Sequence, residues 1–182
     1  MARRLLATAA AAAAAAPIPT PIGSGPRYRL DAASPAVARA APAGRFRCLR
    51  AAPRRELAHV ELFARRLVLL LPAGIGMAPP LERSGAAVTG ARCFYPVRTA
   101  DPTGVVEFDP RARPTLGDLF DVWGQPLSTR RLAGFRGPVR VWVGGRRRHG
   151  DPRTVRLRRH AEIVVEVGGY VPPHRLFLFP RR

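Results

Sequence analysis

The stretch DPTGVVEFDPRARPTLGDLFDVWGQPL, residues 101–127, sets down a strand followed by a helix with both of its ends written in the residues. Gly104 to Asp109 contains Val105, Val106 and Phe108, an apolar run of strand length. Thr115 then supplies an N-cap oxygen, and Asp118 stands where a capping box places its second partner. Leu116, Leu119, Phe120 and Trp123 recur at helical spacing and form one apolar stripe. Gly124 suits the left-handed residue that ends a helix, and Pro126 blocks its continuation. A helix this short is unstable alone, so its stripe must lie on a sheet. The same stretch offers no nucleophile, general base or phosphate loop.

The sheet is legible on either side. Val60, Leu62 and Ala64 alternate with His59, Glu61 and Phe63, the period of a strand. Leu67 to Leu71 returns as an apolar second strand ended by Pro72. Arg65 and Arg66 sit between them. A tight two-residue turn demands positive φ, which favours Asn or Gly, so a looser connection is expected there. Val139, Val141 and Val143 alternate with Arg140 and Trp142. Ala161, Ile163, Val165 and Val167 alternate with Glu162, Val164 and Glu166, which predicts one buried face and one mostly wet face. The order of elements predicts an α+β, β-grasp-like domain: a mixed sheet of about four to six strands packed on one short helix. The tail, Tyr170 to Arg182, carries Pro172, Pro173 and Pro180 and is expected to lie extended against that domain.

The 182 residues divide by composition. Residues 1–16 read as a secretory leader, with Arg3 and Arg4 ahead of a mildly apolar, alanine-rich run. The alternative is an alanine-rich low-complexity start, or a mis-assigned first residue. Residues 17–44 read as a solvated linker, because Pro17, Pro19, Pro21, Pro26, Pro35 and Pro42 oppose helix and central strand alike. Residues 45–180 form the expected single domain. The formal charge of +19 invites a nucleic-acid reading. Against it, all 31 basic residues are arginine and they are scattered, with Arg146, Arg147 and Arg148 the tightest group. A composition without lysine or asparagine is the one expected from the codons of a high-GC bacterial genome. Nucleic-acid binders concentrate charge and interleave stacking aromatics. A solvated arginine-rich surface accounts better for the charge.

Several further pieces stand in a recognisable order: Cys48, the segment from His59 to Pro72, AGIGM at 73–77, and CFYPVRTADPTGVVEFD at 93–109. They continue with TLGDLFDVWGQPL, GDP at 150–152 and HAEIVVEVGGYVPPH at 160–174. In these the chain resembles a family of exported or membrane-anchored bacterial proteins without an established activity. The resemblance implies histidines at alternate positions before and into the first strand, an alternate pair before the third, and one within it. Alternation puts such side chains on one sheet face, where convergent imidazoles hold copper, zinc or nickel. Here those positions read Arg55, Leu57 and His59, then Arg98 and Ala100, then Glu107. His59 remains, with Asp101 and Glu107 as the other metal-ligand candidates, and weak metal binding is expected. The resemblance also implies a disulfide between Cys48 and Cys93, worth about 2 to 4 kcal/mol. Two buried thiols are the alternative.

No hydrolase, zincin or P-loop motif is present, and no catalytic residue or cofactor is assigned. Asp101, Asp109 and Asp151 adjoin turns, and His149, His160 and His174 sit in or beside turns. The expected function is a non-enzymatic, extracytoplasmic binding or interaction module, secreted or membrane-associated, diverged from a metal- or small-ligand-binding family. No partner is assigned, a cell-envelope protein or an anionic surface being the two kinds that such a module would suit. The competing readings are a cytoplasmic nucleic-acid-binding protein and an enzyme built on His59, Asp101 and Glu107.

Overall fold

The computed structural model describes residues 33–179. The leader reading of 1–16 and most of the linker reading of 17–44 lie outside the described residues. The part of the linker that is described is not a solvated tether. The Ser34 hydroxyl accepts the Val37 N–H and caps a four-residue helix, α1 (Pro35–Ala38). Pro35 sits in the first turn, where its missing N–H has no helical partner to lose and its fixed φ suits the helix. Val37 is fully buried, and Ala43 and Phe46 join the same core. The domain therefore begins ahead of Arg45.

The strands follow in order as β1 (Glu56–Ala64), β2 (Leu67–Leu69), β3 (Met77–Ser84), β4 (Ala87–Phe94), β5 (Val97–Arg98) and β6 (Val105–Phe108). Then come helix α2 (Leu116–Trp123), β7 (Leu127–Ser128), β8 (Arg131–Leu132), β9 (Phe135–Arg136), β10 (Val139–Val143), β11 (Arg146–Arg148) and β12 (Glu162–Val167). Seven strands form a mixed sheet in the order β11-β10-β12-β1-β6-β5, with β2 also on β1. Strands β1 and β12 pair in parallel at the centre, while β2 and β10 flank them antiparallel. A hairpin, a helix and a returning pair whose last strand lies parallel to the first make the expected β-grasp core. The sheet is wider than expected because the short strands β5 and β11 are added at its two edges. Two small sheets, β3-β4 and β7-β8-β9, had no clear period in the sequence. Strand β3 contains Pro79 and Pro80 and pairs with β4 through register shifts, and each of β7, β8 and β9 spans only two residues.

Helix α2 has the ends that its residues specify. Thr115 Oγ1 accepts the Asp118 N–H at 3.2 Å, and Asp118 Oδ2 accepts the Thr115 N–H at 2.8 Å, so the capping box closes in both directions. Gly124 ends the helix at φ 75°. Leu116, Leu119, Phe120 and Trp123 pack against the inward residues of β1 and β12 in one core. Burial of each such side chain contributes about 1.5 to 3 kcal/mol. Arg45 adds a two-pronged ion pair to Asp118 at 2.8 and 3.0 Å, tying the start of the domain to the helix.

Cys48 and Cys93 form a disulfide, with Cα atoms 5.5 Å apart and a sequence separation of 45. Beside it, Leu49 and Phe94 exchange both backbone hydrogen bonds, so the covalent link and a β-bridge fasten the same segment to β4. Among the described residues, no helix is long and apolar enough to cross a membrane.

Two local expectations are overturned. The β1-β2 turn is tight, with Arg65 at φ 52° and Arg66 at φ 68° as its only residues between Ala64 and Leu67. The Arg65 N–H donates to Val167 O at 2.8 Å, so pairing on both edges of β1 holds the turn in its uncommon conformation. Gly168 and Gly169 make room for it, since a Cβ at 169 would stand 2.9 Å from Arg66 Cγ. Nor does β12 have a wet face: all six of its residues are buried. Residues 170–179 run across the outer face of the sheet as a strap. Val171 N–H bonds to Glu166, the Tyr170 ring meets Trp142, and the Phe177 ring stacks on His59. The extended tail is present as expected over this range, and it covers what alternation alone left exposed.

Candidate functional site

The inward residues of the sheet are apolar, and the outward ones are largely ionisable. His59 and Glu61 alternate on β1 and point outward, and in the parallel register Glu162 of β12 lies directly opposite His59. Among the described residues, one group of ligand-bearing side chains gathers closely: donor atoms of His59, Glu61 and Glu162 lie within 4.8 Å of one another. His59 Nδ1 is 2.8 Å from Glu162 Oε2, and both side chains are almost fully buried. From the strap, His174 Nδ1 reaches both oxygens of Glu61 at 2.8 and 2.9 Å. His174 itself remains exposed, so the cluster opens to solvent on that side.

The orientation of His59 is fixed from two sides. Its ring stacks on Phe177 with centroids 3.8 Å apart and planes 11° from parallel. Its Nε2 lies 3.0 Å from the Thr103 carbonyl oxygen. A carbonyl only accepts, so Nε2 carries the hydrogen and Nδ1 faces Glu162. Either Nδ1 is also protonated, giving an imidazolium–carboxylate pair, or its lone pair and Glu162 share a proton or a cation between them. Burial pushes the Glu162 carboxyl above the ordinary carboxylate range, and the neighbouring Glu61 charge acts in the same sense. The hydrogen bond and charge of His59 act the other way without cancelling that rise. Glu162 Oε1 is buried without a hydrogen-bond partner.

The loop behind His59 explains two residues of the 101–104 segment. The Asp101 carboxylate accepts the Thr103 N–H at 3.1 Å and also the Thr103 hydroxyl, an Asx turn that presents the Thr103 carbonyl. Gly104, at φ 84°, lets this loop lie close to the ring: a Cβ there would stand 2.9 Å from His59 Nε2. Asp101 thus acts on His59 through Thr103 and is not gathered with it as a ligand.

Glu107 is not gathered with His59 either. Arg55 Nη1 holds its Oε1 at 2.7 Å and Arg98 Nη2 holds its Oε2 at 2.9 Å. A carboxylate between two guanidinium groups is neutralised and repels a third cation. The sequence candidates His59, Asp101 and Glu107 therefore separate into one cluster member, one positioning residue and one ion-pair partner. Glu61, Glu162 and His174 were missed. Strand alternation placed Glu61 beside His59, but only the parallel β1-β12 pairing brings in Glu162, and only the strap brings in His174.

Several other polar side chains have structural uses. Asp109 and Asp151 accept the N–H groups of Arg111 and Arg153 as turn caps, and Asp121 pairs with Arg153 at 2.7 Å. The Thr99 hydroxyl donates to the Pro72 carbonyl, and Ser128 accepts the Arg130 N–H. His160, at φ 57°, donates its N–H to Leu57 O and stacks on Phe179. Compared with protein-family models, with curated proteins and with solved structures, the chain gives no match to any of them.

Proposed function

We propose that this chain is an exported, non-enzymatic binding module, diverged from a histidine-patterned family, whose binding surface is the strap-covered outer face of the sheet. One observation carries the reading: that face buries His59, Glu107, Glu162 and Glu166, where a sheet serving only as scaffold would bury apolar side chains. Buried ionisable groups cost stability unless they are paired, and they are kept where they hold something. Positions 57, 59, 98 and 107 stand side by side in the register of β1, β5 and β6, which supports descent from a family with imidazoles there. The disulfide supports an oxidising compartment. The hydroxyls of Ser34 and Thr115 serve as helix caps and that of Thr99 as a loop tie, which supports a role without covalent chemistry. Arginines 45, 55, 98 and 153 are paired with carboxylates, which favours a structural use of much of the charge over nucleic-acid binding.

The test is the intact mass of the native protein recovered from cell fractions, taken under soft ionisation. The expected species lies outside the cytoplasm, has lost a leader, lacks the two thiol hydrogens and carries a bound mass. A full-length cytoplasmic species with two titratable thiols would overturn the export reading, and a substrate turned over by the pure chain would overturn the non-enzymatic one.

A further inference from the structure

Resting on that reading of the outer face, we infer that His59, Glu61 and Glu162, with His174 of the strap, form a site for a divalent transition metal of the zinc class. The donors come from three parts of the chain that the fold converges: alternate residues of β1, the facing residue of β12, and the strap. The three sheet donors lie within 4.8 Å of one another. Zinc–nitrogen and zinc–oxygen bonds of about 2.0 to 2.2 Å put tetrahedral donors roughly 3.3 to 3.6 Å apart, so small side-chain rotations suffice.

Three independent features point to a cation there. The Thr103 carbonyl takes the Nε2 hydrogen of His59, the outer contact by which a metal-ligating histidine is held in the tautomer that presents its other nitrogen. Glu162 Oε1 is buried, faces no hydrogen-bond donor and belongs to a side chain only 1% exposed. Two carboxylates and two neutral imidazoles balance a divalent cation, so the loaded site is neutral, as a site beside a buried sheet should be. Arg55 and Arg98, on the same face, are both engaged with Glu107 and not with Glu61 or Glu162.

The donor set also sets the class. Both cysteines are in the disulfide, so no thiolate is on offer to select copper(I). A mixed imidazole–carboxylate set with four donors suits zinc, and after it copper(II), nickel and cobalt. The weak binding expected from the sequence assumed a histidine without neighbours, and the fold supplies neighbours from positions far away in the chain.

The experiment is a zinc titration of the full chain, disulfide intact, in metal-free buffer against a chromophoric chelator. One equivalent should bind. His59→Phe, which keeps the stack on Phe177, and Glu162→Gln should each weaken binding by about 100-fold or more, and His174→Ala by about tenfold. Zinc should raise the thermal midpoint of the wild type and leave that of Glu162→Gln unmoved. If a variant fails to fold, X-ray absorption on the zinc-loaded wild type replaces it and should show a light-atom shell with imidazole scattering. No stoichiometric binding by the folded wild type, equal binding by folded Glu162→Gln, or a shell without imidazole would each overturn the site. An exported, disulfide-bonded protein that ignores zinc would sink the metal and leave the binding-module reading standing. A cytoplasmic protein with free thiols that binds zinc through these residues would do the reverse.

Discussion

The same strands present two faces of opposite character. Inward, Ala58, Val60, Leu62, Ile163 and Val165 meet the stripe of α2 in a continuous apolar core. Outward, the residues in between are His59, Glu61, Glu162 and Glu166, with Phe63, Trp142 and Val164 as a small apolar island. Both faces are covered, one by a helix and the other by an extended strap. The inner face needs its cover for stability, because a short helix and a half-apolar sheet are each unstable without the other. The outer face has a cover that buries charge. The difference separates an apolar face that folds the domain from an ionisable face that the strap buries.

The largest expected effect is on the inner face. Trp123→Ala removes a side chain that is 1% exposed and should cost about 3 to 5 kcal/mol in denaturant unfolding. Trp142→Ala, in the outer island, should cost less, about 1 to 2 kcal/mol, because the strap can settle into the space. Equal costs would erase the distinction between core and cover.

Next in size is the covalent link. The denatured, unreduced protein should contain no free thiol, and replacing Cys48 and Cys93 together by serine should lower stability by about 2 to 4 kcal/mol. Two titratable thiols would remove the bridge from the account of the inner half.

The two faces should also respond to acid with opposite signs. On the helix side, burial alone would raise Asp118, but the hydrogen bonds from Arg45 and Thr115 outweigh it and hold the carboxyl below its ordinary value. Its contribution is complete above the unfolded value of about 3.9 and is lost as the pH falls through the folded one. Asp118→Asn should therefore cost about 1 kcal/mol at neutral pH and flatten the acid limb of the stability curve. On the strap side, burial holds Glu166 above its ordinary value despite the Val171 N–H and the nearby Arg140 and Arg147. Its ionisation opposes folding above the folded pKa, a penalty that disappears as the pH falls toward the unfolded value of about 4.3. Glu166→Gln should stay within about 1 kcal/mol of the wild type at neutral pH and remove that slope. Parallel acid limbs for the two variants would contradict the contrast.

Legibility in the sequence divides along the same line. The inner face was readable because its signals are local: a capping box, a stripe at helical spacing, and alternation within β1, β10 and β12. The site was half readable. His59 stood out as a residue type, and the Asp101 turn was visible as a turn. Glu162 was visible only as one member of an alternating strand, assigned to water because nothing in that strand reveals a cover. A parallel pairing between residues about a hundred positions apart leaves no periodic trace, and neither does a proline-rich strap. Glu107 was misjudged for a related reason. Its partners Arg55 and Arg98 are distant in sequence, so a carboxylate with two guanidinium neighbours looked available. The tight Arg65-Arg66 turn was missed because support from both edges of β1 outweighs a local conformational preference.

The central pairing has a consequence in time as well as in space. Strand β1 is complete at Ala64, but its parallel neighbour β12 ends at Val167. During synthesis the middle of the sheet must wait for nearly all of the described chain to emerge, and such non-local pairing is slow to form even then. Until that moment β1 has only its short hairpin partner β2 and the β5-β6 edge, so the nascent chain is held open by its own topology. The two central strands of the sheet can meet only when the last strand has arrived.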